Sequence, residues 1–262
     1  MHPFKQVLII GRGLIGGSLG MALQKQQLAK LIVYHDLLGV DSVPLTAAAD
    51  ADLIILATPV ATIPDLVTQC MPYLTDQSIL MDVASTKSQL IQAMRPVLGS
   101  RIGQFIFTHP IAGKARSGFA EAEATLFAHQ AVVMTPIAEN PPILIQRIKD
   151  LWEAIGAKVH CMNAEAHDGF YGRYSHLSNL LAYVLKSQWQ LSDAQYINIL
   201  PPSFTAMTRL AQSSPEMWRD ICLSNRQEIL QAIQHFEEDL QKIKALIQKA
   251  EPSALLSYFH PK

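Results

Sequence analysis

Six residues in the first half of the chain have the types and spacing to do chemistry. Gly11, Gly13 and Gly16 make a GxGxxG turn directly after an apolar run at 7–10, and Asp36 closes the next apolar run. Ser85 and His109 each follow a further apolar run, at 79–83 and 105–108. A glycine turn between a strand and a helix is a cradle for a pyrophosphate. Gly11 allows the tight turn, Gly13 lets the backbone approach the phosphates, and Gly16 lets the helix pack on the sheet. The free N–H groups at the helix start then face the anion. Arg12, Leu14 and Ile15 fill the intervening positions of the cofactor turn. Arg12 could hold the pyrophosphate or partly offset the charge of Asp36. An acidic side chain at position 36 accepts hydrogen bonds from ribose hydroxyls and repels a 2′-phosphate, so the expected cofactor is NAD, with NADP the lesser option. Thr58 and Pro59, just past the third apolar run, lie where such sheets bind ligands and join the expected cofactor site.

Ser85 and His109 are expected at the same carboxyl edge, beside that cofactor. Hydride loss from an alcohol carbon needs a group that takes the hydroxyl proton, and neutral imidazole suits this near pH 7. His109 is the candidate base. Ser85 can share the hydroxyl and fix its orientation.

The elements that must position these residues alternate. Strands are expected at 7–10, 31–34, 53–57, 79–83, 105–108, 131–135 and 158–161, with helical patterns at 14–26, 61–71, 87–98 and 141–155. Several strand runs are continuously apolar, as in a sheet covered on both faces. The pattern implies an α/β fold, a doubly wound, mostly parallel Rossmann-type sheet. The stretch 37–52 holds Gly39 and Pro44 and is too short for a full crossover helix, so a trimmed connection is expected. After Cys161 the strand pattern stops. A long helix is expected over 164–191, then a break at Pro201-Pro202, a short helix, and a second long helix opening at Pro215 behind the caps Ser213 and Ser214. In that helix Ile229, Ile233, Phe236, Leu240, Ile243 and Ile247 form an apolar stripe that must be buried within the chain or against a second subunit. The expected division is residues 1–161 for the dinucleotide and an all-helical unit over 162–262.

Bulk properties narrow the class. The formal net charge of −1 argues against a general nucleic-acid binder. Three separated cysteines, Cys70, Cys161 and Cys222, form no CxxC pair, so neither a disulfide framework nor a metal site is expected. The run at 7–10 is too short for a signal peptide and no apolar stretch approaches a membrane span, so a cytoplasmic protein with a small-molecule substrate is expected.

Five ordered motifs span nearly the whole chain: GRGLIGGS from Gly11, DVASTK at 82–87, HPIAG at 109–113, AHDGFYGRYSHLSNLLA at 166–182 and TRLAQSSPEMWRDICLSNR at 208–226. Together they resemble the prephenate/arogenate (cyclohexadienyl) dehydrogenase family of tyrosine biosynthesis. The resemblance implies oxidation of the C4 hydroxyl of a cyclohexadienol ring with loss of the C1 carboxylate as CO2, giving 4-hydroxyphenylpyruvate or tyrosine. It implies that His109 is the base at the ring hydroxyl and that Ser85 contacts the same hydroxyl near the nicotinamide. It further implies that Arg209 holds a substrate carboxylate and that the helical unit forms a homodimer. His176 and Asn179 fall on its substrate pocket, with His176 ranked below Arg209. His167 and Asp168 match the pattern with a helix-start and interdomain packing role. The chain departs from many relatives at Ala115, where they carry glutamate, and at Asn179, where they carry a second histidine. Both bear on the side-chain end of the pocket and leave prephenate against arogenate open.

Two other readings compete. One is a β-hydroxyacid or imine-reductase type of two-domain NAD(P) dehydrogenase, for which Lys186 would have to serve in place of the histidine. The other is a non-catalytic, NAD-responsive regulator, in which Ser85, His109 and Arg209 would be coincidences.

Overall fold

The structure is a computed structural model describing residues 4–260 apart from 38, 40, 115, 117 and 190, with backbone alone for 191–194. Ala115 therefore lies outside the described residues. Five strands form a parallel sheet in the order β2-β1-β3-β4-β5: β1 Phe4–Ile10, β2 Ala29–His35, β3 Leu53–Leu56, β4 Ile79–Asp82 and β5 Phe105–Ile106. Strands β3 and β4 are buried along their whole length, which is why β3 is wholly apolar and β4 is apolar up to Asp82. Helices α1 (Leu14–Lys25), α2 (Ile63–Cys70) and α3 (Ser88–Leu98) connect the strands. The connection between β2 and β3 holds only a short 3-10 turn, Leu45–Ala49, as the composition of 37–52 requires.

The expected strand at 105–108 is two strands. After β5 the chain passes Phe107 and enters β6 (Thr108–Pro110), which pairs antiparallel with β7 (Ala131–Met134). Strand β7 pairs parallel with β8 (Lys158–Cys161), which follows helix α4 (Pro142–Ala154). His109 is thus inside a strand of a second, three-stranded sheet, a correction to its expected place just beyond a strand of the first. The cause is local. Thr108 N–H donates to Asp82 Oδ1 (3.1 Å) and Thr108 C=O accepts from Lys87 Nζ (2.6 Å). Both backbone groups that would extend the pairing with β4 are taken by side chains, and the chain changes partner.

Two apolar clusters lie on opposite faces of the sheet. One packs Leu19, Leu23, Ile148 and Trp152 from α1 and α4 against Val7, Ile9 and Ile55. The other packs Val67, Leu90 and Met94 from α2 and α3 against Leu8, Ile54 and Leu80. Each such fully buried aliphatic side chain contributes roughly 1.5–3 kcal/mol.

Beyond Cys161 the described residues are helical. The long helix expected at 164–191 is α5 (Ala164–Tyr171), a π turn (Gly172–His176) and α6 (Leu177–Ser187). After α7 (Pro202–Thr208), the helix expected from Pro215 is α8 (Pro215–Ser224), capped by Ser214 Oγ accepting from Met217 N–H. It breaks at Asn225 (φ −120°, ψ 32°) before α9 (Arg226–Lys249) and α10 (Pro252–Phe259). Trp218, Ile221 and Ile229 make a small separate core with Leu180 and Tyr183. The stripe along α9 is buried only at its start: Phe236, Leu240 and Ile247 are exposed in the single chain. No helix of the described residues is long and apolar enough to cross a membrane.

Candidate active site

The glycine turn leaves β1 at Gly11, whose φ is +99° and whose N–H donates to His35 C=O (2.8 Å). A Cβ at Gly11 would stand 2.5 Å from Ala57 O, and one at Gly16 would stand 2.0 Å from Gly11 O. Both positions exclude a side chain. At Gly13 a Cβ would meet nothing within 4 Å, so open space faces the turn there. Helix α1 begins with no side-chain cap and no acidic residue in its first turn. Its first N–H groups are therefore available to an external anion, and the open space in front of them suits a pyrophosphate. Asp36, at the end of β2, accepts from Arg12 N–H (2.6 Å). The Arg12 guanidinium lies over the rings of Tyr34 (4.9 Å) and Phe119 (4.3 Å) and 3.9 Å from Asp41, on the Asp36 side of the turn. Thr58 Cγ2 borders Gly11, and its Oγ1 accepts from Thr62 Oγ1 (3.0 Å), while Pro59 is exposed beside it.

Asp82 and Lys87 hold the segment that carries Ser85. They form a completely buried ion pair, in which Asp82 Oδ2 also accepts from Ala84 N–H (2.9 Å). Burial pushes the Asp82 carboxyl up and the Lys87 ammonium down, and the opposite charge of each pulls the other back. Since Lys87 also binds Thr108 C=O, this pair fixes the Ser85 segment relative to the residue before His109. The Asp82-to-Lys87 spacing was visible in the sequence, but its positioning role was not.

His109 is 8% exposed, and its Nδ1 lies 2.8 Å from His167 Nε2. His167 Nδ1 in turn lies 2.8 Å from Asp168 Oδ1. Asp168 also accepts from Lys87 N–H (2.9 Å) and Ser88 N–H (2.7 Å), capping the start of α3 from another part of the chain. Tyr171 packs edge-on against His109, with ring centroids 4.9 Å apart. Burial, then the neighbouring His167, Lys87 and His176, hold the His109 pKa well below 6.5, so the ring is neutral at neutral pH.

His176 is buried at 2% exposure, where burial lowers its pKa to about 4. Its Nδ1 accepts from Asn225 Nδ2 (3.1 Å), and the same amide nitrogen donates to Asp168 C=O (2.9 Å). The residue that breaks α8 from α9 therefore ties His176 to α5. No sequence signal marked Asn225 for this. The π turn adds a residue to its helical turn, a distortion frequent at functional sites. Around it Tyr171, Ser175, His176 and Asn179 all reach one cavity.

That cavity has a volume of about 940 Å³ and runs from Leu14 and Ile15 on α1 past Ser85 and His109 to His176 and Asn179. It brings together the expected base, its hydroxyl partner, two expected substrate residues and the start of the cofactor turn. Tyr171 and Trp218 line it as well, as do Lys114 and Arg116 from the loop after β6. Sequence reasoning had singled out none of these four, although all lie in or beside the quoted motifs. Arg209 does not line the cavity. It is exposed in the 3-10 turn after α7, next to Leu210 and close to Gln212, which do. Lys186 is exposed, donates to Ala211 C=O (3.2 Å) and does not line the cavity, which removes the basis for the competing lysine-centred reading.

The sequence profile described as "Prephenate dehydrogenase, nucleotide-binding domain" matches residues 26–161, and that described as "Prephenate dehydrogenase, dimerization domain" matches residues 163–261. The chain belongs to the prephenate dehydrogenase family. It is an oxidoreductase of that family. A cyclohexadienyl dehydrogenase of Zymomonas mobilis is 31% identical over 278 aligned positions covering 99% of this chain and 94% of that protein. A prephenate dehydrogenase of Bacillus subtilis is also 31% identical, covering 97% of this chain and 73% of that protein. Among solved structures, the prephenate dehydrogenase of A. aeolicus in complex with hydroxyphenyl propionate and NAD+ superposes with a TM-score of 0.86. It is 28% identical and covers 97% of this chain and 94% of that one.

Proposed function

We propose that the chain oxidatively decarboxylates prephenate, arogenate or both in the cavity between the glycine turn and the helical unit. The observation that carries this reading is the convergence of Ser85 and neutral His109 on a cavity that begins at α1 and ends at His176 and Asn179. NAD bound along the glycine turn, with Asp36 at its ribose end, would supply the hydride acceptor. Because loss of the ring carboxylate as CO2 aromatises the ring, the chain's own residues need only align the alcohol, take its proton and anchor the carboxylates. His109 takes the ring hydroxyl proton, and Ser85 holds the same oxygen in line. His176 and Asn179 meet the side-chain end of the substrate. Arg209 clamps a carboxylate from the cavity rim, and Arg116, a cation on the cavity wall, meets the other.

The same reading divides the chain into a dinucleotide unit to residue 161 and a substrate and dimerisation unit from 162. A homodimer through the helical unit is supported by the exposed Phe236, Leu240 and Ile247 of α9 and by the family's description of this region as a dimerization domain. The free thiols of Cys70, Cys161 and Cys222 support a location in the reducing cytoplasm.

The test is an assay of prephenate and arogenate, each with NAD and with NADP, following reduced nicotinamide. Turnover with NAD on at least one substrate is expected. No reduction in any of the four combinations would overturn the reading.

A further inference from the structure

We propose that His167 and Asp168 are positioning residues that hold His109 in its Nδ1–H tautomer and leave its Nε2 bare toward the cavity. The proposal rests on His109 being the proton acceptor, because only an unprotonated Nε2 can accept the proton of a substrate hydroxyl.

Asp168 sets the order of protons along this chain of hydrogen bonds. Its carboxylate accepts two backbone N–H groups, from Lys87 (2.9 Å) and Ser88 (2.7 Å), at the positive start of α3. Burial alone would raise its pKa, but the hydrogen bonds from His167 and Ser88 outweigh this and hold it below the usual carboxylate value. Asp168 is therefore an anion at neutral pH, and a carboxylate can only accept. The nitrogen facing it at 2.8 Å, His167 Nδ1, must then carry a proton.

His167 has only one to give. Burial lowers its pKa below 6.5 against the pull of Asp168, so at neutral pH it is a neutral imidazole with a single N–H. With that proton on Nδ1, Nε2 is an acceptor. The atom 2.8 Å from it is His109 Nδ1, which must be the donor. His109 is also neutral, so its one proton is committed there and Nε2 keeps its lone pair. Among the described residues Nε2 makes no hydrogen bond, while the ring lines the cavity beside Ser85.

The same bonds tie the base to the rest of the fold. Asp168 caps α3 directly after the segment that carries Ser85, and α5 carries His167 against β6. The tautomer is therefore set by how the helical unit docks on the sheet. The two residues matched the family's pattern at the start of α5, where a packing role was expected. Asp168 does cap a helix, but that of α3 in the other unit, and His167 reaches the candidate base.

The experiment is heteronuclear NMR of the histidine side chains of the full chain near pH 7 without substrate, with the His109 signals assigned by their loss in His109→Asn. The expected spectrum shows His109 protonated at Nδ1 and unprotonated at Nε2. His109 found protonated at Nε2 would overturn the proposal, whatever any variant does. Two variants add a kinetic readout. His167→Leu removes the acceptor, so His109 should lose its Nδ1–H preference and kcat should fall by ~10²–10⁴-fold with KM little changed. His167→Gln keeps a carbonyl that can accept from His109 Nδ1 and should restore much of that loss. A His167→Leu enzyme with unchanged tautomer and unchanged kcat would also overturn the proposal. Failure of the base reading looks different: His109→Asn would then keep turnover, while the tautomer of the wild-type ring would still be decided by its spectrum.

Discussion

At the scale of the residue, the site is a neutral imidazole kept neutral by burial. Since the His109 pKa lies well below 6.5, kcat/KM should stay level as pH falls through 6.5 and decline only at lower pH, where the ring finally protonates. A pH–rate profile that breaks at or above 6.5 would contradict this. Asp36 has a separate consequence. It sits at the end of β2 beside the turn, so Asp36→Ser should raise the preference for NADP over NAD, read as the ratio of kcat/KM values. Arg209→Ala should lower kcat/KM by about 1.5–3 kcal/mol, the worth of a hydrogen bond to a charged group, and an unchanged value would remove Arg209 from the site. That Ser85 and His109 would meet at one cavity could be read from the sequence, because each follows a largely buried apolar run. The bonds from His109 to His167 and on to Asp168 could not, because they join residues 58 positions apart and depend on how α5 docks. The exposed position of Arg209 was equally invisible, since a motif gives a residue type and not the direction of its side chain.

At the scale of the element, the buried Asp82–Lys87 pair decides where the first sheet stops. It takes both backbone groups of Thr108 and so turns β6 toward β7, which puts His109 inside a strand facing the cavity. Removing one partner leaves the other charged, buried and unpaired. Asp82→Ala should therefore destabilise the chain by about 3–5 kcal/mol, measured by denaturant unfolding. A loss below about 1 kcal/mol would mean that the pair does not organise this junction. The alternation of strands and helices up to Cys161, and the short β2–β3 connection, could be read from apolar runs and from Gly39 and Pro44. The π turn after Tyr171 and the break at Asn225 could not. Both lie inside unbroken helical periodicity and exist because of contacts with other helices: Gly172 packs on Glu228, and Asn225 binds His176 and Asp168.

At the scale of the whole molecule, three neutral buried histidines make stability depend on pH. His109, His167 and His176 all have folded pKa values below the 6.5 of the unfolded chain. Between those values the unfolded state binds more protons, so stability should fall as pH drops below about 6.5 and level off only below the folded pKa values. His176, with a folded pKa of about 4, accounts for about 3 kcal/mol of that fall. Urea midpoints measured from pH 7 to pH 4.5 should decline steadily, and a constant midpoint would show that these rings are not buried neutral. The exposed half of the α9 stripe bears on assembly. If the proposed homodimer forms through this stripe, Leu240→Glu should lower the mass seen by light scattering to that of a single chain without unfolding it, and an unchanged mass would remove the stripe from the interface.

The claim on which the rest depends is that His109 takes the proton of the alcohol being oxidised. It is tested most directly by His109→Asn, assayed with NAD and whichever of prephenate or arogenate the wild-type chain turns over, and with NAD affinity measured in parallel. The expected result is unchanged NAD affinity with turnover reduced by ~10²–10⁴-fold, the usual worth of a general base. Turnover within a few-fold of wild type, with NAD bound normally, would contradict it.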